Sequence, residues 1–158
     1  MEKDPRGLKL LLSIAACLVV GWIGGLFTQK GLLCWYPTLN KPSWTPPDEV
    51  FPWVWTALYL MMGFSLWLIW ISRSKISKKT AFTAFGFQLF FNFIWPFLFF
   101  YLENPLLGLI DIYLLELGII LTMITFWKFS QCAVYLLIPY LLWVTYALTL
   151  NYSIWINN

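Results

Sequence analysis

Histidine is absent from the 158-residue chain. The side chain most used as an imidazole base or metal ligand is therefore missing. Cysteine is scarce: Cys17, Cys34 and Cys132 stand far apart, with no C-x-x-C pair. That supports neither a zinc site nor a disulfide framework. Charge is scarce too. Asp, Glu, Lys and Arg make up 11% of residues, against ~25% in an ordinary soluble domain. There is no low-complexity tract and no clear internal repeat. What fills the chain is apolar: 61% of residues are hydrophobic and 21% aromatic, with a mean hydropathy of +0.74. These values place it with integral membrane proteins, and the length suits one domain.

Five apolar segments run at about 8–27, 50–71, 81–101, 106–127 and 133–156. Each is long enough to cross a hydrocarbon core of ~30 Å at ~1.5 Å per residue. A spanning helix satisfies its own backbone groups, which lipid cannot do. The expected fold is an all-α integral membrane bundle of five transmembrane helices, a single domain over 1–158. The first segment has the basic start of a signal peptide, but its apolar run of about 20 residues exceeds a signal core of roughly 7–15. A retained first span is expected. Eight of the ten Lys and Arg residues (Lys3, Arg6, Lys9, Arg73, Lys75, Lys78, Lys79 and Lys128) fall at the N-terminus and in the second and fourth loops. Lys30 and Lys41 fall on the other side. This is a topology signal, with no nucleic-acid partner implied. It puts the N-terminus in the cytoplasm and the C-terminus outside. The asymmetry, with no visible transit peptide or sorting signal, suits a bacterial cytoplasmic membrane. Short last loops make the third, fourth and fifth spans antiparallel neighbours.

Polar residues at membrane depth are costly and by default suggest function. Gln88, Asn92 and Trp95 recur at i, i+4 and i+7, so they share one face of the third span. They either tie helices together by hydrogen bonds or line a cavity, and the two roles are compatible. Pro96 follows and should kink the helix. Trp143, Ala147 and Asn151 share a face of the fifth span, where small Ala147 leaves a notch. That notch is either tight helix packing or a pocket wall. Pro139 should break the same span's ladder. Asp111 and Glu116, about 140° apart around the fourth helix, do not form a carboxylate pair. Asp111 is placed near the helix start, within reach of water or a partner. Glu116, near mid-span, is expected to be neutral or paired with a polar group. Gly21 and Gly25 form a weak small-xxx-small face on the first span. Trp53, Trp67, Trp70 and Trp155 suit an interfacial belt. Trp55, Trp95 and Trp143 lie deeper.

The connector W-Y-P-T-L-N-K-P-S-W-T-P-P at 35–47 is unusually stiff and aromatic. With V-W-T-A-L-Y at 54–59, Q-L-F-F-N-F-I-W-P-F-L-F-F at 88–100, D-I-Y-L-L at 111–115 and P-Y-L-L-W-V-T-Y-A-L-T-L-N-Y at 139–152, it resembles the translocator protein family. That family is also called the tryptophan-rich sensory proteins or peripheral-type benzodiazepine receptors. The resemblance covers all five spans in order and spacing. It implies a five-helix bundle, usually a homodimer, with one ligand cavity per subunit under the first loop. Implied ligands are porphyrins such as protoporphyrin IX, haem, isoquinoline-carboxamide and benzodiazepine drugs, and sterols. No cofactor is required; the tetrapyrrole is a ligand. By family motif the cavity residues are Tyr36 and Pro46 in the loop, and Trp55 and Tyr59 on the second span. Asn92 and Trp95 come from the third span, and Trp143 and Ala147 from the fifth. The loop, drawn at 28–49, is expected to be a lid: its four prolines lose little entropy on ordering, and its aromatics anchor it at the interface. Lys41 either attracts a ligand carboxylate or points into water.

Two departures from the family pattern stand out. A sterol motif near the C-terminus keeps Leu150 and Tyr152 but has Ile156 where a basic residue belongs. Ala81, Ala84 and Gly86 do not make the small-xxx-small run associated with the dimer interface in a bacterial member of the family. Four functions compete. The leading one is a membrane receptor or carrier for tetrapyrroles and similar flat apolar ligands. The second is an enzyme degrading protoporphyrin IX in light and oxygen through Trp55 and Trp143, although no catalytic constellation demands it. The third is a structural or signalling dimer with a vestigial cavity. The fourth is an exporter coupled to protons through Glu116.

Overall fold

The computed structural model describes residues 5–158, so Lys3 of the basic cluster lies outside the described residues. The chain is all-helical, with five helices long and apolar enough to cross a membrane. Helix α1 covers Pro5–Cys34, α2 Val50–Ile71, α3 Lys79–Pro96 and α4 Pro105–Trp127. The fifth span is divided into a short α5, Gln131–Tyr135, and α6, Ile138–Asn157.

Local chemistry sets several of these boundaries. Asn104 caps α4, its Oδ1 accepting from the Leu107 N–H at 3.0 Å, and Pro105 takes the first turn, where no N–H is needed. Ser130 caps α5 at the Ala133 N–H. Pro139 sits in the first turn of α6; the fifth span breaks just before it, since a continuous helix would leave a carbonyl without a donor. Lys78 closes α2 from the other direction. Its Nζ donates to the Trp70 and Ser72 carbonyls at 3.0 and 2.6 Å, a cation at the negative end of the helix dipole. Burial first, and Lys9 second, lower its pKa.

The sequence ends the first span at residue 27, but α1 continues to Cys34, so the loop is 35–49 and not 28–49. The polar stretch Thr28–Lys30 reads as an end by composition. It stays helical because its side chains find partners: Thr28 Oγ1 donates to the Gly24 carbonyl at 3.1 Å, and Lys30 Nζ lies 4.6 Å over the Tyr101 ring. Gly31 lets this last stretch lie directly on the third span, where an added Cβ would sit 2.3 Å from the Phe100 carbonyl oxygen. The third span changes pitch after Pro96. Residues Phe97–Tyr101 form a π-helical turn, closed by Leu102 N–H to Phe97 O at 2.9 Å. The proline supplies no N–H, and the wider turn follows.

Packing closes the spans into a ring. α1 lies against α2 and α3, α3 against α4, α4 against α6, and α2 against α5, so the last three spans are neighbours as expected. Gly63 sets the α1–α2 approach: a Cβ there would be 2.7 Å from Ile14 Cα. At the basic end α2 is fastened to the fifth span by Ser65 Oγ, which donates to Ala133 O at 2.7 Å. At the loop end α2 and α6 are held apart by rings, Phe51 on Trp143 and Trp55 near Tyr140. The main core runs through Cys17, Met62, Phe85, Ile119 and Phe126. A second cluster of Tyr36, Phe99, Phe100, Leu150 and Ile154 sits beneath the loop.

Candidate functional site

The helices leave a cavity of ≈ 620 Å³ on the loop side of the bundle. Backbone and small residues of α1, with Gly21, Gly24 and Gly25, form one wall. Trp55 and Tyr59 come from α2, and Asn92 and Trp95 from α3. Phe99 and Phe100 come from the π-turn, and both rings contact Trp95. The Trp95 and Phe99 rings stack at 5.0 Å and 12°, and Phe100 stands edge-on to Trp95 at 5.7 Å. Ala147, Leu150 and Asn151 come from α6. Tyr36 covers the cavity from the loop and is 3% exposed.

Six of the eight residues named from the family motif therefore lie together on this cavity: Tyr36, Trp55, Tyr59, Asn92, Trp95 and Ala147. Pro46 and Trp143 are not among the lining residues. Trp143 stands behind Phe51, ring to ring at 5.8 Å, and also packs on Tyr146. Among the described residues its buried indole N–H has no partner. Pro46 belongs to a loop segment carried across α6. Trp44 packs edge-on against Tyr146, and Tyr146 Oη donates to Trp44 O at 2.8 Å.

The third-span polar face does both things the sequence allowed. Asn92 lines the cavity, and it is held by a buried chain of hydrogen bonds through three spans. Tyr59 Oη donates to Asn92 Oδ1. Asn92 Nδ2 donates to Tyr140 Oη at 2.7 Å, and Tyr140 Oη donates to Gln88 Oε1 at 2.8 Å. Gln88 is tie only; it does not line the cavity. Trp95 Nε1 donates to Asn151 Oδ1 at 3.2 Å, and Asn151 Nδ2 donates to Pro105 O at 2.8 Å. The Tyr59 hydroxyl and the Trp95 indole N–H are thus used internally, and these two residues offer the cavity their rings.

The acids do not build a catalytic pair. The sequence puts Asp111 within reach of water or a partner, but it is 3% exposed, and among the described residues its Oδ2 has no partner. The reason is that its face of α4 turns inward, alongside Ile112 and Leu115. Glu116 accepts from Thr145 Oγ1 on α6, the polar partner expected of it, and neither acid lines the cavity. Of the two helix-one glycines, Gly21 permits close approach, since a Cβ would lie 2.3 Å from Tyr59 Cε2. Gly25 faces open cavity, with nothing within 4 Å.

The loop is pinned at several points. Asn40 N–H donates to Asn158 Oδ1 at 2.9 Å and Asn40 Nδ2 to Asn157 O at 3.2 Å. Lys41 Nζ does not simply point into water. It lies 4.3 Å over the Tyr36 ring, a cation–π contact. Burial first, then the Asp48 carboxylate, pushes the Tyr36 hydroxyl up to about 12.

The first helix's share of the site was missed by sequence reasoning. Trp22, Leu26 and Gln29 also line the cavity, but an apolar span gives no sign of which face meets a void. Tyr140 was missed as well. Its signal was a hydroxyl placed inside a span and not at the interface, where tyrosines of membrane helices concentrate.

A sequence profile of the TspO/MBR family matches residues 13–156. A "Tryptophan-rich protein TspO" of Chlorobaculum tepidum is 45% identical over 93% of this chain and 94% of its own length. A protein of the same name from Archaeoglobus fulgidus is 40% identical over 96% and 97%. The human "Translocator protein" is 35% identical over 87% and 82%.

Proposed function

This chain belongs to the TspO/MBR family, and from that premise we propose that it is a membrane receptor or carrier for porphyrins, such as protoporphyrin IX or haem, and related flat apolar molecules. The observation that carries the reading is the cavity of ≈ 620 Å³ walled by Tyr36, Trp55, Tyr59, Trp95, Phe99 and Phe100. Small-molecule sites are concave and mostly apolar, with few polar groups. A tetrapyrrole offers a broad π-face, and stacked or edge-on aromatic rings are its natural counterpart. Ala147, 9% exposed, supplies the notch that a planar ligand edge needs. Photo-oxidative degradation is less favoured, because Trp143 is screened from the cavity by Phe51; only Trp55 of the tryptophan pair would meet a ligand there. The same reading carries a cytoplasmic N-terminus, a loop on the outer side and assembly as a homodimer.

The test is a protoporphyrin IX titration of purified protein in the dark, followed by tryptophan quenching. Ala147→Leu, which fills the notch, should weaken saturable binding by about tenfold or more, as a steric clash of ~1–3 kcal/mol allows. Trp53→Phe, at a position 80% exposed and off the cavity, should bind as wild type does. Absence of saturable binding, or an Ala147→Leu variant that folds and binds like wild type, would end the reading.

A further inference from the structure

The cavity lining holds one formally charged side chain, Asp48, just before α2. No lysine or arginine lines it. Asp48 is exposed at the mouth, and among the described residues its carboxylate has no ion pair or side-chain hydrogen bond. Two lysines at this end of the bundle sit over rings, Lys41 over Tyr36 and Lys30 over Tyr101, and neither is itself a lining residue. Glu49 follows directly and is also exposed, which adds to the negative sign of the rim. The Asp48 field reaches the wall, since it contributes, after burial, to the raised Tyr36 pKa of about 12. Inside, the Asn92 and Asn151 amides and the Trp95 indole are engaged in hydrogen bonds within the protein. Nothing in the lining offers a countercharge to an anion.

We propose that Asp48 sorts ligands by charge at the cavity mouth, so that neutral or cationic flat molecules are taken in preference to dicarboxylates. A porphyrin is then held best with its carboxyl groups esterified, amidated or turned out to water, away from Asp48. This deepens the cavity reading above and rests on it. The physical cause is like-charge repulsion at the rim of an apolar cavity. A carboxylate brought to about 8 Å from another, in an effective dielectric of ~40, loses roughly fivefold in affinity.

The experiment compares protoporphyrin IX with its dimethyl ester on the full chain in the dark, using wild type, Asp48→Asn and Asp48→Lys. The ester is intrinsically more apolar, so the informative quantity is the diacid-to-ester affinity ratio across variants. That ratio should rise about fivefold in Asp48→Asn and further in Asp48→Lys. In wild type it should rise with added salt, which screens an exposed charge. Saturable ester binding with the same ratio in all three proteins would overturn the charge filter while leaving the cavity reading in place. A wild type that binds neither compound would overturn both. Thermal melts of the variants separate loss of binding from loss of fold.

Discussion

Replacing Tyr140 with phenylalanine removes one oxygen atom and strands two groups. Tyr140 is 0% exposed, and its hydroxyl accepts from Asn92 Nδ2 and donates to Gln88 Oε1. Gln88 is 1% exposed and its Nε2 already lacks a partner, so water cannot easily restore what is lost. A buried group left unpaired costs about 1–3 kcal/mol. Interhelical hydrogen bonds in membrane proteins measure less, about 0.6 kcal/mol on average and ~1.7 at most, because the unfolded chain in lipid also finds partners. With two groups stranded in a closed core, the expected loss is about 2–3 kcal/mol, toward the upper end of the membrane values taken twice. Tyr59→Phe frees only Asn92 Oδ1 and should cost about half as much. The assay is reversible unfolding in mixed detergent micelles, with Tyr152→Phe at a half-exposed surface position as the control. Tyr140→Phe combined with Gln88→Leu should show a coupling of about 1 kcal/mol. If Tyr140→Phe falls within ~0.5 kcal/mol of the control, the chain of hydrogen bonds is not a tie between spans and the reasoning fails.

Other consequences can be checked on the same preparations. Gly21→Ala would place a methyl 2.3 Å from Tyr59 Cε2, and should cost about 1–3 kcal/mol. Gly25→Ala meets nothing within 4 Å, and should be neutral or stabilising by up to ~1 kcal/mol; equal melting temperatures for the two variants would contradict this. Tyr146→Phe removes the hydrogen bond to Trp44 O, and should speed ligand dissociation about two- to tenfold by loosening the loop, as a bond of ~0.5–1.5 kcal/mol allows. Stopped-flow release decides it. Tyr36 has a folded-state pKa of about 12, raised above its ordinary value. Its contribution to stability is therefore complete below the unfolded pKa of ~10 and is lost as pH climbs through about 12. Melts from pH 9 upward should fall less steeply in Tyr36→Phe than in wild type.

The sequence by itself determined the class, the number of spans and several residues of the wall. Five apolar runs with too few charges for a soluble domain can be satisfied in lipid only as helices. The i, i+4, i+7 spacing put Gln88, Asn92 and Trp95 on one face before any neighbour was known. Family motifs then named Tyr36, Trp55, Tyr59 and Ala147, which the fold gathers around one cavity. The tertiary structure decided the rest, because a void belongs to several helices and to none of them singly. It carried α1 on to Cys34 through contacts with Gly31 and Lys30, where composition had marked an end. It put Trp143 against the Phe51 ring and off the cavity lining, which periodicity on α6 could not reveal. It buried Asp111, whose distance from the helix start fixed its depth but not the direction it faces. It also closed Tyr59, Asn92, Tyr140 and Gln88 into one chain of hydrogen bonds. Spacing along a helix reports which residues share a face; only the packing of spans against one another fixes what that face meets.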